Sequence, residues 1–203
     1  IMKHIFTIIL SVFIFNLEAQ TYCSSIADSS NSHEITKVSV SGGTSTLNNS
    51  TACFSLTGTQ GTATGTIDRY SDFTINTTMP VPILKTGNTY QLTVNTKFCD
   101  TGFHTGGAKA AFIDYNHDGD FLDSNERIII DWVNNTDTTK TVSFVVPMNY
   151  TYSGKTRMRI VYRRVFFPAI PGPCMTIVSE GETEDYTVEI LRCATVSTSI
   201  PTV

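Results

Sequence analysis

Short β-prone runs alternate with turn-forming clusters along most of the chain. Within these runs apolar and polar side chains follow each other with a period of two, which is typical of strands that bury one face. In the clearest run, Met158, Ile160 and Tyr162 fall on one face, and three arginines and Val161 fall on the other. The pattern predicts strands at residues 34–40, 52–57, 89–95, 108–115, 127–132, 140–146, 156–164 and 185–191. No run has the length and period of an ordinary helix, so we expect an all-β fold, an antiparallel β-sandwich of jelly-roll or Ig-like type.

Turn chemistry suggests where the chain divides. A pair of prolines and Gly87 mark the strongest break in the pattern, because these residues favour turns. We expect a β-sandwich domain at residues 87–192. Residues 20–86 form either a subdomain of their own or the first strands of the same sandwich. Residues 193–203 have a linker composition, and we expect the natural polypeptide to continue beyond Val203.

The first residues have the pattern of a secretory signal peptide. Lys3 supplies a positive charge, residues 5–15 are almost all apolar, and Ala19 provides a small residue for cleavage. We therefore expect residues 1–19 to be removed and the mature protein to be secreted or held at the cell surface. The apolar run is too short to cross a bilayer comfortably, so we expect no membrane span after cleavage.

Composition narrows the range of partners. The chain has 203 residues, a formal net charge of -4 and 16% charged residues. Its lysines and arginines are dispersed, so no long basic stripe can neutralise a row of phosphates, and nucleic acid is not expected as a partner. The mild acidity suits a surface that binds cations.

Five cysteines are present in the expected mature chain. Because none has Cys-x-x-Cys spacing and the chain is expected to be exported, they are better candidates for disulfides than for metal ligands. The disulfide candidates are Cys23, Cys53, Cys99 and Cys174, and the sequence does not determine their connectivity. Cys193 is left over; it pairs beyond Val203, or it is free or intermolecular.

An acidic segment at residues 114–126 has the spacing of a calcium loop. Calcium takes six to eight oxygen ligands, and alternate residues of a tight loop supply them when a glycine, here Gly119, permits the sharp turn. The expected ligands are Asp114, Asn116, Asp118, Asp120, Asp123 and Glu126. Strand-like flanks stand where an EF-hand has helices, so we expect a static calcium loop between two strands. The alternative is a hairpin turn rich in Asp, Asn and Gly.

A motif near the C-terminal end, Gly181-Glu-Thr-Glu-Asp-Tyr186, belongs to a larger set. The others are Tyr22-Cys23, Tyr70-Ser-Asp-Phe-Thr74, Gly87-x-x-Tyr-x-Leu-x-Val94, Ile113-Asp-Tyr-Asn-His-Asp-Gly-Asp-Phe121 and Thr156-Arg-Met-Arg-Ile160. In their order and spacing the chain resembles the GEVED domain of secreted Bacteroidetes-type proteins, with Thr183 where the family commonly has Val. The resemblance implies a β-sandwich accessory module in a large secreted or surface protein, whose partners are other domains of the same polypeptide.

In this motif Glu182 and Glu184 alternate onto one face of a strand, and Asp185 falls on the other. The glutamates either complete the calcium shell from across the sandwich or pair with Arg157 and Arg159 on a neighbouring strand. The ion pair is the more ordinary use of such alternation. An exposed pair of this kind contributes less than about 1 kcal/mol.

The segment at residues 166–173 is apolar and rich in proline. It is either a partner-contact loop, with Phe166, Phe167 and Ile170 as the contact residues, or a loop folded over the core and tied by Cys174.

These observations predict a calcium-stabilised, non-catalytic accessory module with a structural or adhesive role in a larger extracellular protein. The histidines lie in no zinc or nucleophile motif, so we expect no enzyme. One alternative is a carbohydrate-binding module that uses Tyr115, Trp132 and Tyr152 as exposed aromatics, with a glycan or a surface protein as partner. Another is an appendage of a secreted peptidase or hydrolase.

Overall fold

The computed structural model of the chain describes residues 21–29, 33–53, 62–63, 70–99, 106–133, 137–164 and 169–192. The strands in these ranges are β1 (Ile26–Ser29), β2 (His33–Ser41), β3 (Leu47–Ser50), β4 (Thr62–Ala63), β5 (Tyr70–Asp72), β6 (Ile83–Lys85), β7 (Thr89–Phe98), β8 (Gly107–Ile113), β9 (Arg127–Val133), β10 (Thr138–Val145), β11 (Gly154–Arg163) and β12 (Thr176–Leu191). One turn of 3-10 helix, Phe73–Ile75, follows β5. The expected signal peptide, the expected linker and Cys193 lie outside the described residues.

Two sheets pack face to face as a β-sandwich. The larger sheet has the order β4-β5-β12-β11-β8-β9, and β1 and β6 also pair with β12; the smaller sheet has the order β10-β7-β2-β3. β1, β5 and β6 run parallel to β12, and the remaining pairs are antiparallel. The prediction of an all-β sandwich is confirmed. Within the described ranges, no helix has the length and apolar character that crossing a membrane requires.

The hydrophobic core lies between the two sheets. Along β7, Tyr90, Leu92 and Val94 are buried while the residues between them are more exposed. The facing sheet contributes Met158 and Ile160 from β11 to the same core. Full burial of one such side chain stabilises the fold by about 1.5–3 kcal/mol. The period-two pattern therefore decides which face of each strand meets the other sheet.

Most predicted strands are present, with ends that shift by a few residues. The six predicted between residues 34–40 and 156–164, apart from the run at 52–57, correspond to β2 and β7 to β11. The strand predicted at 185–191 is the second half of β12. The prediction of a strand at residues 52–57 is wrong in its described part: β3 ends at Ser50, and Cys53 lies in a turn.

Strands from both sides of the expected boundary at residue 86 share the same sheets. β2 pairs with β7 in the smaller sheet, whereas β1, β5 and β6 pair with β12 in the larger one. The described strands that precede residue 87 therefore lie in the same sandwich as the later ones.

The acidic segment joins β8 to β9 at one end of the sandwich. These strands are antiparallel neighbours, so the segment is the connection of a hairpin. A disulfide between Cys53 and Cys99 lies at the opposite end, just after β3 and β7. A second disulfide joins Cys23, before β1, to Cys174, before β12. All four disulfide candidates are thus paired.

Candidate metal site

Asp114 is the hub of the acidic loop. It follows directly after β8 and is fully buried. Its Oδ1 accepts the backbone N–H of His117 at 2.6 Å, and its Oδ2 accepts the N–H of Gly119 at 3.2 Å. The chain can turn back over this carboxylate because His117 and Gly119 have positive φ angles of 61° and 94°, a conformation that glycine adopts without steric cost. Burial raises the pKa of Asp114 above the usual range of an aspartate.

Glu126 closes the loop from its other end. Its Oε1 accepts the N–H of Tyr115 at 2.9 Å, and its Oε2 accepts the N–H of Asp123 at 3.3 Å. The side chain is fully buried. Burial raises the pKa of Glu126 to about 7, although both hydrogen bonds favour the charged form. A nearby cation would stabilise a carboxylate in such surroundings.

Two further carboxylates converge on the side-chain amide of Asn116. The amide nitrogen lies 2.7 Å from Asp118 Oδ2 and 2.6 Å from Asp123 Oδ2. The amide oxygen of Asn116 accepts the backbone N–H of Asp118 at 3.3 Å, and this bond agrees with the amide orientation in which the nitrogen donates to both carboxylates. The Asn116 amide thus holds Asp118 and Asp123 close together through two hydrogen bonds.

The loop carboxylates also bond to the loop backbone. Asp118 Oδ1 accepts the N–H of Asp120 at 3.1 Å, and Asp120 Oδ1 accepts the N–H of Leu122 at 2.8 Å. Bonds from a side chain to the backbone two residues on are turn-forming. Asp118 and Asp120 therefore also stabilise the turn, as the hairpin-turn alternative predicts.

The predicted ligands fall into two groups. The side chains of Asn116, Asp118 and Asp123 bond to one another, while the other three predicted ligands accept hydrogen bonds from backbone amides without such side-chain bonds to another predicted ligand. Within the described residues, no group of three or more His, Cys, Asp or Glu side chains is arranged to hold a metal ion. Each carboxylate has about four lone-pair positions, so Asp114 and Glu126 retain capacity for a cation. These hard oxygen donors fit calcium better than zinc or copper.

The motif on β12 uses its carboxylates differently from the prediction. Asp185 is the acid that pairs with the arginines of β11: Arg159 donates to its two oxygens at 2.7 and 2.8 Å, and Arg157 donates to Oδ2 at 2.9 Å. The tyrosine hydroxyl of Tyr70 adds a bond of 2.7 Å to Oδ2. The pair is buried, unlike the exposed pair that the alternation suggested.

The expected pairing of the two glutamates with these arginines is wrong, because the glutamates occupy the opposite face of β12. Glu182 accepts the backbone N–H of Ile35 in the other sheet at 2.6 Å. Glu184 accepts the hydroxyl of Tyr186 at 2.7 Å, and that hydroxyl accepts the side-chain amide of Asn49 at 2.9 Å. Burial first, and Glu182 second, raise the pKa of Glu184 well above its ordinary value. These glutamates link the two sheets.

The predicted partner-contact loop is described only in part. Phe166 and Phe167 lie outside the described residues. Ile170 is exposed and borders a groove against the acidic loop, where Phe121 and Leu122 form the other wall.

Of the aromatics proposed as exposed, Tyr115 is buried in the core, which contradicts its use as a stacking platform. Tyr152 is half-buried and stacks on His117 with ring centroids 4.3 Å apart.

Sequence reasoning missed Tyr22 as a residue of the site. Its hydroxyl donates to Asp114 Oδ2 at 2.7 Å, from a position 92 residues away in the chain. The signal that could have found it is its place beside Cys23, since a disulfide there fixes the neighbouring side chains.

The chain was compared with known proteins and protein families, and one match includes the residues of the acidic loop. No curated protein matches the chain. The family model of the GEVED domain matches residues 109–189. This range contains the acidic loop, the arginines of β11 and the motif that begins at Gly181. The predicted resemblance to the GEVED domain is confirmed over residues 109–189.

Proposed function

We propose that the chain is a calcium-stabilised, non-catalytic accessory module with a structural or adhesive role in a larger secreted or cell-surface protein. The observation that carries the proposal is the convergence of Asp118 and Asp123 on the amide of Asn116. Both carboxylate oxygens lie within 2.7 Å of the Asn116 amide nitrogen, so two hard oxygen donors of the kind that calcium binds lie close together in the loop.

The charge of the loop supports a bound cation. Five carboxylates stand between residues 114 and 126, and two of them, Asp114 and Glu126, are fully buried. Burying a carboxylate without a compensating charge is unfavourable. The raised pKa values of both acids express that cost. A divalent cation would remove most of it.

The surroundings of the loop support a static role. Phe121 of the loop packs against Phe112 of β8 and Tyr22 in a small second core. The hydroxyl of Tyr150 donates to the carbonyl of Ser124 at 2.6 Å. The flanking strands β8 and β9 are paired in one sheet. A cation in the loop would therefore rigidify this hairpin, and it would not separate the two strands as calcium separates the helices of an EF-hand switch.

The extracellular placement and the partners are inferred from other features. Two disulfides are compatible with an oxidising compartment. The GEVED match, together with the expected signal peptide and linker, supports a module whose partners are other domains of the same polypeptide.

Isothermal titration with calcium tests the proposal. We expect saturable heat from the unmutated protein and binding at least tenfold weaker in Asp118→Ala. Asp137→Asn is the matched control, because Asp137 is an exposed acid that accepts the N–H of Phe98 at the opposite end of the sandwich. Calcium at 100 times its Kd should stabilise the fold by about 2.7 kcal/mol if it binds only the folded state. The absence of heat and of any change in melting temperature would overturn the proposal.

A further inference from the structure

We infer that Tyr22, held by the Cys23–Cys174 disulfide, is a positioning residue of the cation site, so that cation binding and this disulfide stabilise each other. Residues 22–25 are called the N-terminal strap below. The inference rests on the proposed function, because it concerns the cation site in the acidic loop.

The strap touches the hub of the loop through a hydrogen bond. Tyr22 donates from its hydroxyl to Asp114 Oδ2 at 2.7 Å. The main chain of Asp114 is fixed as well, since Thr156 donates from its hydroxyl to the Asp114 carbonyl at 2.7 Å. Asp114 in turn accepts the backbone N–H groups that shape the turn. The Tyr22 hydroxyl therefore orients the carboxylate that accepts the backbone N–H groups of the turn.

The ring of Tyr22 packs on the loop as well. Its centroid lies 5.3 Å from that of Phe121, a loop residue that is almost fully buried. The guanidinium of Arg157 covers the ring of Tyr22 at 4.2 Å, an attractive cation–π arrangement. Tyr22 is thus held between β11 and the loop.

The anchor of the strap is the disulfide together with Arg159. Cys23 is bonded to Cys174, which precedes β12. Arg159 donates from Nη1 to the carbonyls of Cys23 and Pro173, each at 2.8 Å, so one guanidinium bonds both sides of the crosslink. The same guanidinium is fixed by Asp185. The position of Tyr22 is therefore set by the β12 motif through Arg159.

The disulfide and cation binding are coupled because the disulfide holds the N-terminal strap in place. With the disulfide intact, Tyr22 is one residue from a covalent anchor and is held beside Asp114 before any cation arrives. Without it, the contacts of the strap alone must order the segment, and the entropy cost of doing so opposes binding. Because coupling between two equilibria is reciprocal, a bound cation must also oppose opening of this disulfide.

Calcium titrations of four proteins test the inference: the unmutated chain, Tyr22→Phe, the double variant Cys23→Ser with Cys174→Ser, and the double variant Cys53→Ser with Cys99→Ser. We expect the calcium Kd to rise severalfold in Tyr22→Phe and at least tenfold without the Cys23–Cys174 disulfide. The variant lacking Cys53–Cys99 is the matched control and should keep the unmutated Kd, because that disulfide lies at the opposite end of the sandwich.

A second readout needs no variant. The unmutated protein is treated with a thiol reductant with and without calcium, and the free cysteines are alkylated and identified by mass spectrometry. Calcium should slow the opening of Cys23–Cys174 severalfold and leave that of Cys53–Cys99 unchanged. Equal Kd values in the unmutated chain, Tyr22→Phe and the Cys23/Cys174 variant, or equal slowing of both disulfides, would overturn the inference and leave the calcium site standing. A failure of the unmutated chain to bind calcium would overturn both.

Discussion

Two carboxylates of one motif, on opposite faces of β12, are stabilised in contrasting ways. Asp185 is fully buried and receives hydrogen bonds from two arginines and a tyrosine. Glu184 is also buried, but its Oε1 has no hydrogen-bond partner among the described residues. Removing Asp185 would leave a buried arginine without its counter-charge, whereas burial raises the pKa of Glu184 well above its ordinary value and so favours its neutral form.

Asp185→Asn should destabilise the fold by about 3–5 kcal/mol, because it leaves Arg159 as an uncompensated buried charge. Denaturant unfolding measures the loss. Arg164→Gln is the matched control: the pair of Arg164 with Glu180 is partly exposed at 3.4 Å and contributes about 0–1 kcal/mol. Equal effects of the two substitutions would contradict the assignment of the buried pair.

The metal-free protein should lose stability as the pH rises from about 4.5 through 7. Burial raises the pKa of Glu126 from 4.5 to about 7 and that of Glu184 well above 4.5. The folded state therefore holds protons that the unfolded state releases in this window, so this contribution is complete below about 4.5 and is lost on raising the pH.

Thermal melts in a chelator at about pH 5 and pH 8 measure this dependence. Glu126→Gln should reduce the difference between the two melting temperatures. If the difference is the same in Glu126→Gln and in the unmutated chain, the pH dependence does not come from Glu126.

The sequence could predict the faces of this motif but not their surroundings. A period of two places Glu182 and Glu184 together and Asp185 opposite, and the structure has that arrangement. Which face meets the core depends on the strands packed on either side. Because uncharged residues are usually the ones buried, the sequence favoured exposed glutamates. In the structure the glutamates are buried, and hydrogen bonds with the backbone N–H of Ile35 and the hydroxyl of Tyr186 compensate their burial.

β12 is the element that organises the larger sheet. It pairs with β11 along ten residue positions and with β1, β5 and β6 over shorter stretches. The alternation from Glu182 and the predicted run at 185–191 cover its later part, and its first residues were not predicted as strand. β5 and β6, three residues each, are too short to show any period. Tertiary pairing with β12, not local preference, makes them strands.

Gly181 shows how closely β12 approaches β11. A Cβ at this position would overlap the carbonyl oxygen of Tyr162 and would lie 2.6 Å from Cδ of the buried Arg163. Gly181→Ala should therefore destabilise the protein by about 1–3 kcal/mol, measured by urea unfolding. Gly172→Ala is the control, with its nearest neighbour, Met175 Cγ, at an ordinary 3.7 Å; it should change stability by less than about 0.5 kcal/mol.

At the scale of the whole molecule, the sandwich is larger than the range that the family model matches. Residues 109–189 include β9, β10 and β11 and most of β8 and β12. Of the smaller sheet they contain β10, whereas β7, β2 and β3 come from earlier in the chain. The matched range alone would leave one face of the larger sheet uncovered.

A fragment of residues 87–192 should therefore fail to fold cooperatively, since it lacks β2 beside β7 and β1, β5 and β6 beside β12. Residues 20–192 are the matched control and should unfold in one transition. Circular dichroism during heating distinguishes them. A sharp transition in the shorter fragment would show that residues 87–192 are an independent domain.

The disulfide before β12 also determines how the molecule carries mechanical load. If the chain is pulled between residue 21 and residue 192, tension enters at Cys23 and crosses the covalent bond directly to Cys174, 151 residues further along. The tension then runs along β12 to residue 192. The acidic loop and the other residues between Cys23 and Cys174 carry no tension through the main chain. Rupture requires shearing one central strand from its neighbours, and the extension that follows is limited to the short stretch after Cys174.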